Sequence, residues 1–269
     1  MRRAVVVVAI LLAAQARAGT HGFVAANGVR LSYIDWGGRG EPLLLLAGMS
    51  DHAGIYEPFA PRFTDRFHVL ALTRRGFGQS DKPAAGYDLN TRVEDIRAFL
   101  DAMKIRRVHL VGHSAAGDEL TLFATRYPDR VRKLVYLDAA YDRYHLLAMM
   151  AARPGAPPWV SLPREVPANA PPALADPKVW RAFVACMKSG DEYRIDYRGV
   201  RAPALAIYAV PRKHPLGASG SARIRSSIEQ FRREMRGGKV IELIDADHHL
   251  FLGSTEDRVV AEMRAFLRV

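Results

Sequence analysis

The run from Val108 to Gly117, Val-His-Leu-Val-Gly-His-Ser-Ala-Ala-Gly, constrains this chain more than any other stretch. Val108, Leu110 and Val111 form an apolar segment short enough for a buried strand, and Gly112 breaks it into a small-residue helix start at Ala115 and Ala116. Ser114 stands at the corner. A strand-to-helix turn this tight needs small residues two positions before and two after the serine, because a larger side chain would collide where the backbone doubles back. Gly112 and Ala116 meet that need. Such a turn lifts the hydroxyl clear of the sheet and sets the first helical N–H groups where a developing oxyanion would sit. The second small position is Ala116, with Gly117 one residue late, so the run alone is equally compatible with a plain Gly-Ser connection between strand and helix.

The flanking chain supplies the context. Phe23 to Ala26 and Val29 to Ile34 flank Asn27-Gly28, whose tolerance of positive φ suits a two-residue hairpin, so the fold opens on antiparallel strands. Leu43 to Leu46 is apolar throughout, as a strand covered on both faces should be, and stops at Ala47-Gly48-Met49. His68 to Thr73 is a second such strand, ending at Arg74-Arg75-Gly76-Phe77-Gly78-Gln79-Ser80-Asp81. Thr91-Arg92-Val93-Glu94 has capping-box spacing ahead of Ile96, Leu100 and Met103 at helical intervals. After Ser114 a helix runs to about Tyr127 before Pro128, and strand Leu134 to Leu137 ends at Asp138. Ala204 to Ala209 and Val240 to Ile244 resume the strand pattern around a helix at Ile224 to Met235, and Val259, Val260, Met263, Phe266 and Leu267 mark a closing helix. This rhythm predicts an α/β fold: a doubly wound, mostly parallel sheet with ligand sites at the carboxyl ends of its strands.

Between residues 140 and 198 the rhythm fails. Prolines at 154, 157, 158, 163, 167, 171, 172 and 177 preclude a long helix through much of this region. Met149, Met150, Trp159, Trp180, Phe183 and Tyr193 make it too apolar for a free linker. A cap or lid insertion folded over the strand ends accounts for both facts, with the core domain formed by 19–139 and 199–269; a Pro-rich disordered loop is the alternative.

Residues 1–18 stand apart. Met1-Arg2-Arg3 is a basic start, Ala4 to Ala14 is an apolar run too short to span a bilayer, and Ala16-Arg17-Ala18 matches a small-x-small cleavage site. The expectation is a signal peptide and an exported, periplasmic or secreted, mature protein. Removing these residues takes three of the 39 basic side chains and none of the 28 acidic ones, leaving 36 against 28 and a net charge of +8. The arginines are scattered (Arg62, Arg130, Arg194, Arg223, Arg232), which argues against a nucleic-acid tract and for a solvated basic face, at most in weak association with an anionic envelope surface. Cys186 is the only cysteine, so no internal disulfide is available, and no cluster with metal-ligand spacing appears. Nothing in the sequence fixes the oligomeric state.

Taken together, Leu-Leu-Leu-Leu-Ala-Gly-Met at 43–49, Arg-Gly-Phe-Gly-Gln-Ser-Asp-Lys-Pro at 75–83, Gly-His-Ser-Ala-Ala-Gly at 112–117 and Asp-His-His-Leu-Phe-Leu at 247–252 resemble the α/β-hydrolase superfamily, in its serine-nucleophile branch. The resemblance implies Ser114 as nucleophile and His248 as its base, with His249 the alternative. Many members carry the triad acid after the penultimate strand, but no Asp or Glu occurs between Asp196 and Glu229. Some place it one strand earlier, which implies Asp138, then Asp142, then a degenerate triad; a helix-capping or loop-bracing aspartate is the other account of Asp138. Met49 and Ala115 occupy the oxyanion-donor positions. The family often has His-Gly before the first of these, and Ala47 here predicts a less rigid oxyanion loop. The reading that follows is an exported carboxylesterase-like serine hydrolase, cleaving a small carboxylic ester or lactone through an acyl-serine, without organic cofactor or metal. Its rival is a non-catalytic or very slow small-ligand-binding protein on the same scaffold.

Overall fold

The structure, a computed structural model, describes residues 18–152, 155–156, 158–214 and 216–268. The expected leader up to Arg17, the prolines at 154 and 157 and the Trp159 side chain lie outside the described residues.

Asn27 (φ 48°) and Gly28 (φ 75°) close the opening hairpin between β1 (Thr20–Ala26) and β2 (Val29–Gly37), both residues left-handed as a primed two-residue turn requires. β3 (Glu41–Leu46) and β4 (Phe67–Leu72) follow, then α1 (Leu89–Ala102), β5 (Val108–His113), α2 (Ala116–Arg126) and β6 (Val131–Leu137). The segment after β6 holds α3 (Leu146–Ala151), 3₁₀ turns at Pro158–Ser161 and Pro172–Leu174, and α4 (Pro177–Asp191). β7 (Ala204–Val210), α5 (Gly217–Glu234), β8 (Lys239–Ile244) and α6 (Glu256–Leu267) complete the chain. One eight-stranded sheet runs in the order β1-β2-β4-β3-β5-β6-β7-β8, antiparallel as far as β2/β4 and parallel from β4 to β8.

Period-two alternation in the central strands divides the core into two layers. Leu44, Leu46, Leu70, Leu72, Leu110, Leu134 and Tyr136 pack with α1, α2 and α5. Leu43, Leu45, Val69, Ala71, Val111, Val135 and Leu137 face α6 and the aromatic cluster of Tyr56, Phe59, Phe63 and Phe251. Strands covered on both faces must be apolar at every position, which is why these runs are unbroken. Each fully buried leucine contributes roughly 1.5–3 kcal/mol. The tips of β3, β5, β6 and β7 are thereby held at fixed spacing.

Two helix starts differ from the sequence expectation. α1 begins at Leu89, not after a Thr91 cap: the Asp88 carboxylate accepts the Thr91 N–H at 3.0 Å, and Glu94 turns away to Arg97, Arg126 and Tyr127. The Asp88 side chain reaches the same orphan donors one turn earlier, so the capping box has nothing left to satisfy. α5 starts at Gly217, seven residues ahead of the first apolar position that marked it, because its first two turns are small and polar.

Candidate active site

Ser114 adopts φ 53°, a left-handed backbone that L-residues other than glycine seldom take, at the junction of β5 and α2. The small neighbours are required by contact: a Cβ on Gly112 would stand 2.6 Å from Leu120 Cδ1 and 3.1 Å from Ala116 Cβ. Gly117 has a different task. A Cβ there would fall 1.8 Å from the Ala139 carbonyl oxygen, so glycine lets α2 press against the backbone that follows Asp138.

Asp138 leaves the tip of β6, also left-handed at φ 47°, and is buried. Its Oδ1 accepts the Ala209 N–H from β7 at 2.8 Å and the Tyr141 hydroxyl, which leaves Oδ2 directed at His248 Nδ1 2.6 Å away. Asp142 makes no such contact; its carboxylate accepts the Tyr144 N–H at 3.1 Å. His248 follows β8, and its half-exposed ring lines a cavity of about 480 Å³ together with Ser114, Asp138 and Asp142. No hydrogen bond joins Ser114 to His248 among the described residues. Leu146, Met149, Leu216 and Ile224 supply apolar walls, and Lys213, His214 and Arg223 polar ones.

His249 points away from Asp138 and pairs with Asp51 across 3.3 Å, and this hydrogen bond raises its pKa above the ordinary histidine value. Behind the pair lies His113, buried, whose Nε2 donates to the His248 carbonyl at 3.0 Å. Burial, helped by the neighbouring His248 and His249, drives the His113 pKa well below the ordinary value. Asp51, His113 and His249 offer ligand atoms all within 4.8 Å of one another. Donors around a tetrahedral zinc stand roughly 3.4 Å apart, so these three would have to close up to hold an ion.

Met49 and Ala115 flank Ser114 as their positions implied: a Cβ on Gly48 would lie 3.2 Å from Ser114 Cβ, so the loop after β3 meets the corner after β5. The loop is not under-braced, contrary to what Ala47 suggested. Arg74, at the end of β4, donates to the Ala47 and Gly48 carbonyls at 3.0 Å each and is gripped by Glu119 of α2 through Nε at 2.6 Å and Nη2 at 3.0 Å. Arg92 of α1 holds the same carboxylate at 2.8 Å. The two guanidinium charges keep Glu119 ionised below the usual carboxylate range although burial alone would push the other way. The sequence carries the signal for this network in Arg74 just past the apolar run Val69–Leu72 and in Glu119 one turn into the helix after the serine. Its length-specific pairing has no sequence periodicity.

The description "alpha/beta hydrolase fold" matches residues 41–171 as a family. A 2-(acetamidomethylene)succinate hydrolase of Mesorhizobium japonicum is 36% identical over 101 residues, which is 38% of this chain and 36% of the relative. A soluble epoxide hydrolase of Corynebacterium sp. is 33% identical over 119 residues, 44% of this chain and 41% of that protein. The matched stretch thus spans little more than a third of the length of these curated relatives. Among solved structures, a membrane phospholipase A described as a bacterial virulence factor superposes with TM-score 0.72 at 26% identity, covering 93% of this chain and 86% of that one. The family match over residues 41–171 and the superposition over 93% of the chain agree that the chain has the α/β-hydrolase fold.

Proposed function

We propose that this protein is a serine hydrolase of small ester-like substrates, carboxylic esters or lactones, working through an acyl-serine intermediate. The observation that carries the reading is the 2.6 Å pair of Asp138 Oδ2 and His248 Nδ1 on the wall of the cavity that Ser114 also lines. With Nδ1–H held by the carboxylate, the other ring nitrogen keeps its lone pair for the serine proton. Ser114 Oγ adds to the carbonyl carbon as His248 takes that proton; the oxyanion rests on the Met49 and Ala115 N–H groups. The proton then passes to the departing alcohol oxygen, and water attacks the acyl-serine by the same route in reverse. A cavity of about 480 Å³, with apolar walls at Leu146, Met149, Leu216 and Ile224 beside charged groups at Lys213 and Arg223, suits a medium-sized acyl or alkoxy group. The similar proteins named as hydrolases support hydrolysis in general, and the phospholipase adds an ester among them.

The sequence of residues 1–18 supports export as part of this proposal, and among the described residues no helix is long and apolar enough to cross a membrane. A fluorophosphonate probe and short p-nitrophenyl esters test the chemistry: Ser114 is labelled, and wild type turns the esters over far faster than Ser114→Ala. Labelling elsewhere, or equal turnover by the two proteins, would exclude it. Ligand-induced thermal stabilisation that survives Ser114→Ala, without product, would instead favour a binding protein.

A further inference from the structure

A trans peptide unit is planar, and its carbonyl and the N–H that follows point in opposite directions. Whatever fixes the carbonyl therefore aims the amide. On one side of Ser114, Arg74 Nη1 binds the Gly48 carbonyl at 3.0 Å, and that carbonyl shares its peptide plane with the Met49 N–H. On the other side, the Ser114 carbonyl, which shares its plane with the Ala115 N–H, accepts Arg143 Nη1 at 2.9 Å together with the Gly117 N–H of α2 at 3.0 Å, while Nη2 takes the Ala115 carbonyl at 3.0 Å. Neither the Met49 nor the Ala115 N–H donates to any protein group among the described residues. Both arginines are anchored on consecutive residues of α2: Arg74 on Glu119, and Arg143 on Asp118 at 2.8 Å. Arg74, Asp118 and Glu119 are buried, and Arg143 keeps only 12% of its side chain exposed.

We infer that Arg74 and Arg143 are paired positioning residues that lock the two peptide planes of the oxyanion hole, with adjacent carboxylates on the nucleophile helix as their common anchor. This rests on the serine-hydrolase reading. Arg74 stands in for the histidine whose place Ala47 takes. The fork geometry is essential: one guanidinium must reach two carbonyls and still grip a carboxylate side-on, which the single ammonium of lysine cannot do. Because the donors act on charge that develops only in the transition state, releasing one plane lowers kcat and leaves ground-state binding alone.

The test compares wild type with Arg74→Met, Arg74→Lys and Arg143→Met, each titrated with a fluorophosphonate so that kcat is expressed per labelled site. Incomplete folding then lowers the titre and not the rate per site. With p-nitrophenyl butyrate, kcat per site falls roughly 10- to 1,000-fold in all three, KM stays within about threefold, and the inhibition constant of an aryl boronic acid rises by the same factor as kcat/KM falls. Arg97→Met, which removes an arginine of α1 paired with Glu94 and Asp101 and outside this network, keeps kcat per site within about threefold. Wild-type turnover in Arg74→Lys, or losses in KM alone, would overturn the inference. Crystal structures of Arg74→Met and Arg143→Met give a readout independent of turnover. A turned Gly48–Met49 or Ser114–Ala115 peptide supports the lock, and unmoved planes in both overturn it. A wild type that takes no fluorophosphonate defeats the hydrolytic reading, and the peptide planes still decide the lock.

Discussion

The sheet and the segment between β6 and β7 satisfy burial in opposite ways. In the sheet, Leu43 to Leu46 are at most 3% exposed, and the tips of β3, β5, β6 and β7 have a strand on either side. The β6–β7 segment gathers its own small core of Trp180, Phe183, Val179, Cys186, Leu162 and Leu174, against which Phe77 and Tyr87 pack from the main body. Its α3 is a six-residue helix without a buried residue, and its longest helix begins only at the last of the prolines, with Asp176 as cap. Ser114, Asp138 and His248 leave strand ends, whereas Leu146 and Met149 of the cavity wall come from α3. Rigidity is concentrated where atoms must be placed to a few tenths of an ångström, and looseness where a substrate must fit. The chemistry and the selectivity should therefore separate by region under mutation.

The sharpest division falls between two aspartates four residues apart, one on the strand tip and one beyond it. Asp138→Asn keeps the shape of the tip but deprives His248 Nδ1 of a pure acceptor, and kcat should drop by about 10⁴-fold, the size of effect such a change has in serine triads. Asp142→Asn, whose side chain caps only the Tyr144 N–H, should change kcat by less than about tenfold. Ester-hydrolysis rates on the two variants measure it, and comparable losses in both would erase the division.

Sequence made the sheet legible because burial on both faces leaves unbroken apolar runs, and because a left-handed serine corner cannot form without small residues at 112 and 116. His248 and Asp138 came into view through motif order, since the hydrogen bond between them spans 110 residues and leaves no local trace. Arg74, Glu119 and Arg92 were missed as a unit for the same reason: three buried charges satisfying one another look, one at a time, like surface residues. Gly117 was visible yet misread as a late motif glycine, because its task is set by the Ala139 carbonyl that α2 approaches. In the β6–β7 segment the prolines announced irregularity but could not say where chain turns, so α3 and the 3₁₀ turns were not placed.

A second pair of substitutions separates stability from selectivity. Leu110→Ala, in the fully buried centre of β5, should lower unfolding free energy by about 2–5 kcal/mol in a denaturant titration while kcat per folded molecule holds. Leu146→Ala, half-buried on the cavity wall, should leave stability within about 0.5 kcal/mol and shift the preferred p-nitrophenyl ester by roughly 10-fold or more between short and long acyl chains. A Leu146→Ala protein that unfolds early and keeps its chain-length profile would show that the cap is structural support and not a selectivity wall.

The smallest effect arises at His113, at the end of β5, which touches the His248 and His249 rings at centroid separations of 4.6 and 4.8 Å. Unfolded, this imidazole takes up a proton near its ordinary value of about 6.5; folded, burial keeps it neutral far below that. Between the two values the unfolded chain holds the extra proton, so stability is fully present above about pH 6.5 and declines as pH falls, by at most about 1.4 kcal/mol per pH unit. His113→Gln retains a donor for the His248 carbonyl but cannot titrate. Its stability should therefore fall less steeply with acid than that of wild type when chemical denaturation is followed from pH 7 to pH 5. Identical slopes would mean that water enters the space behind Gly48 and hydrates the ring, and the His113 side of the site would then belong with the loose region instead of the rigid one.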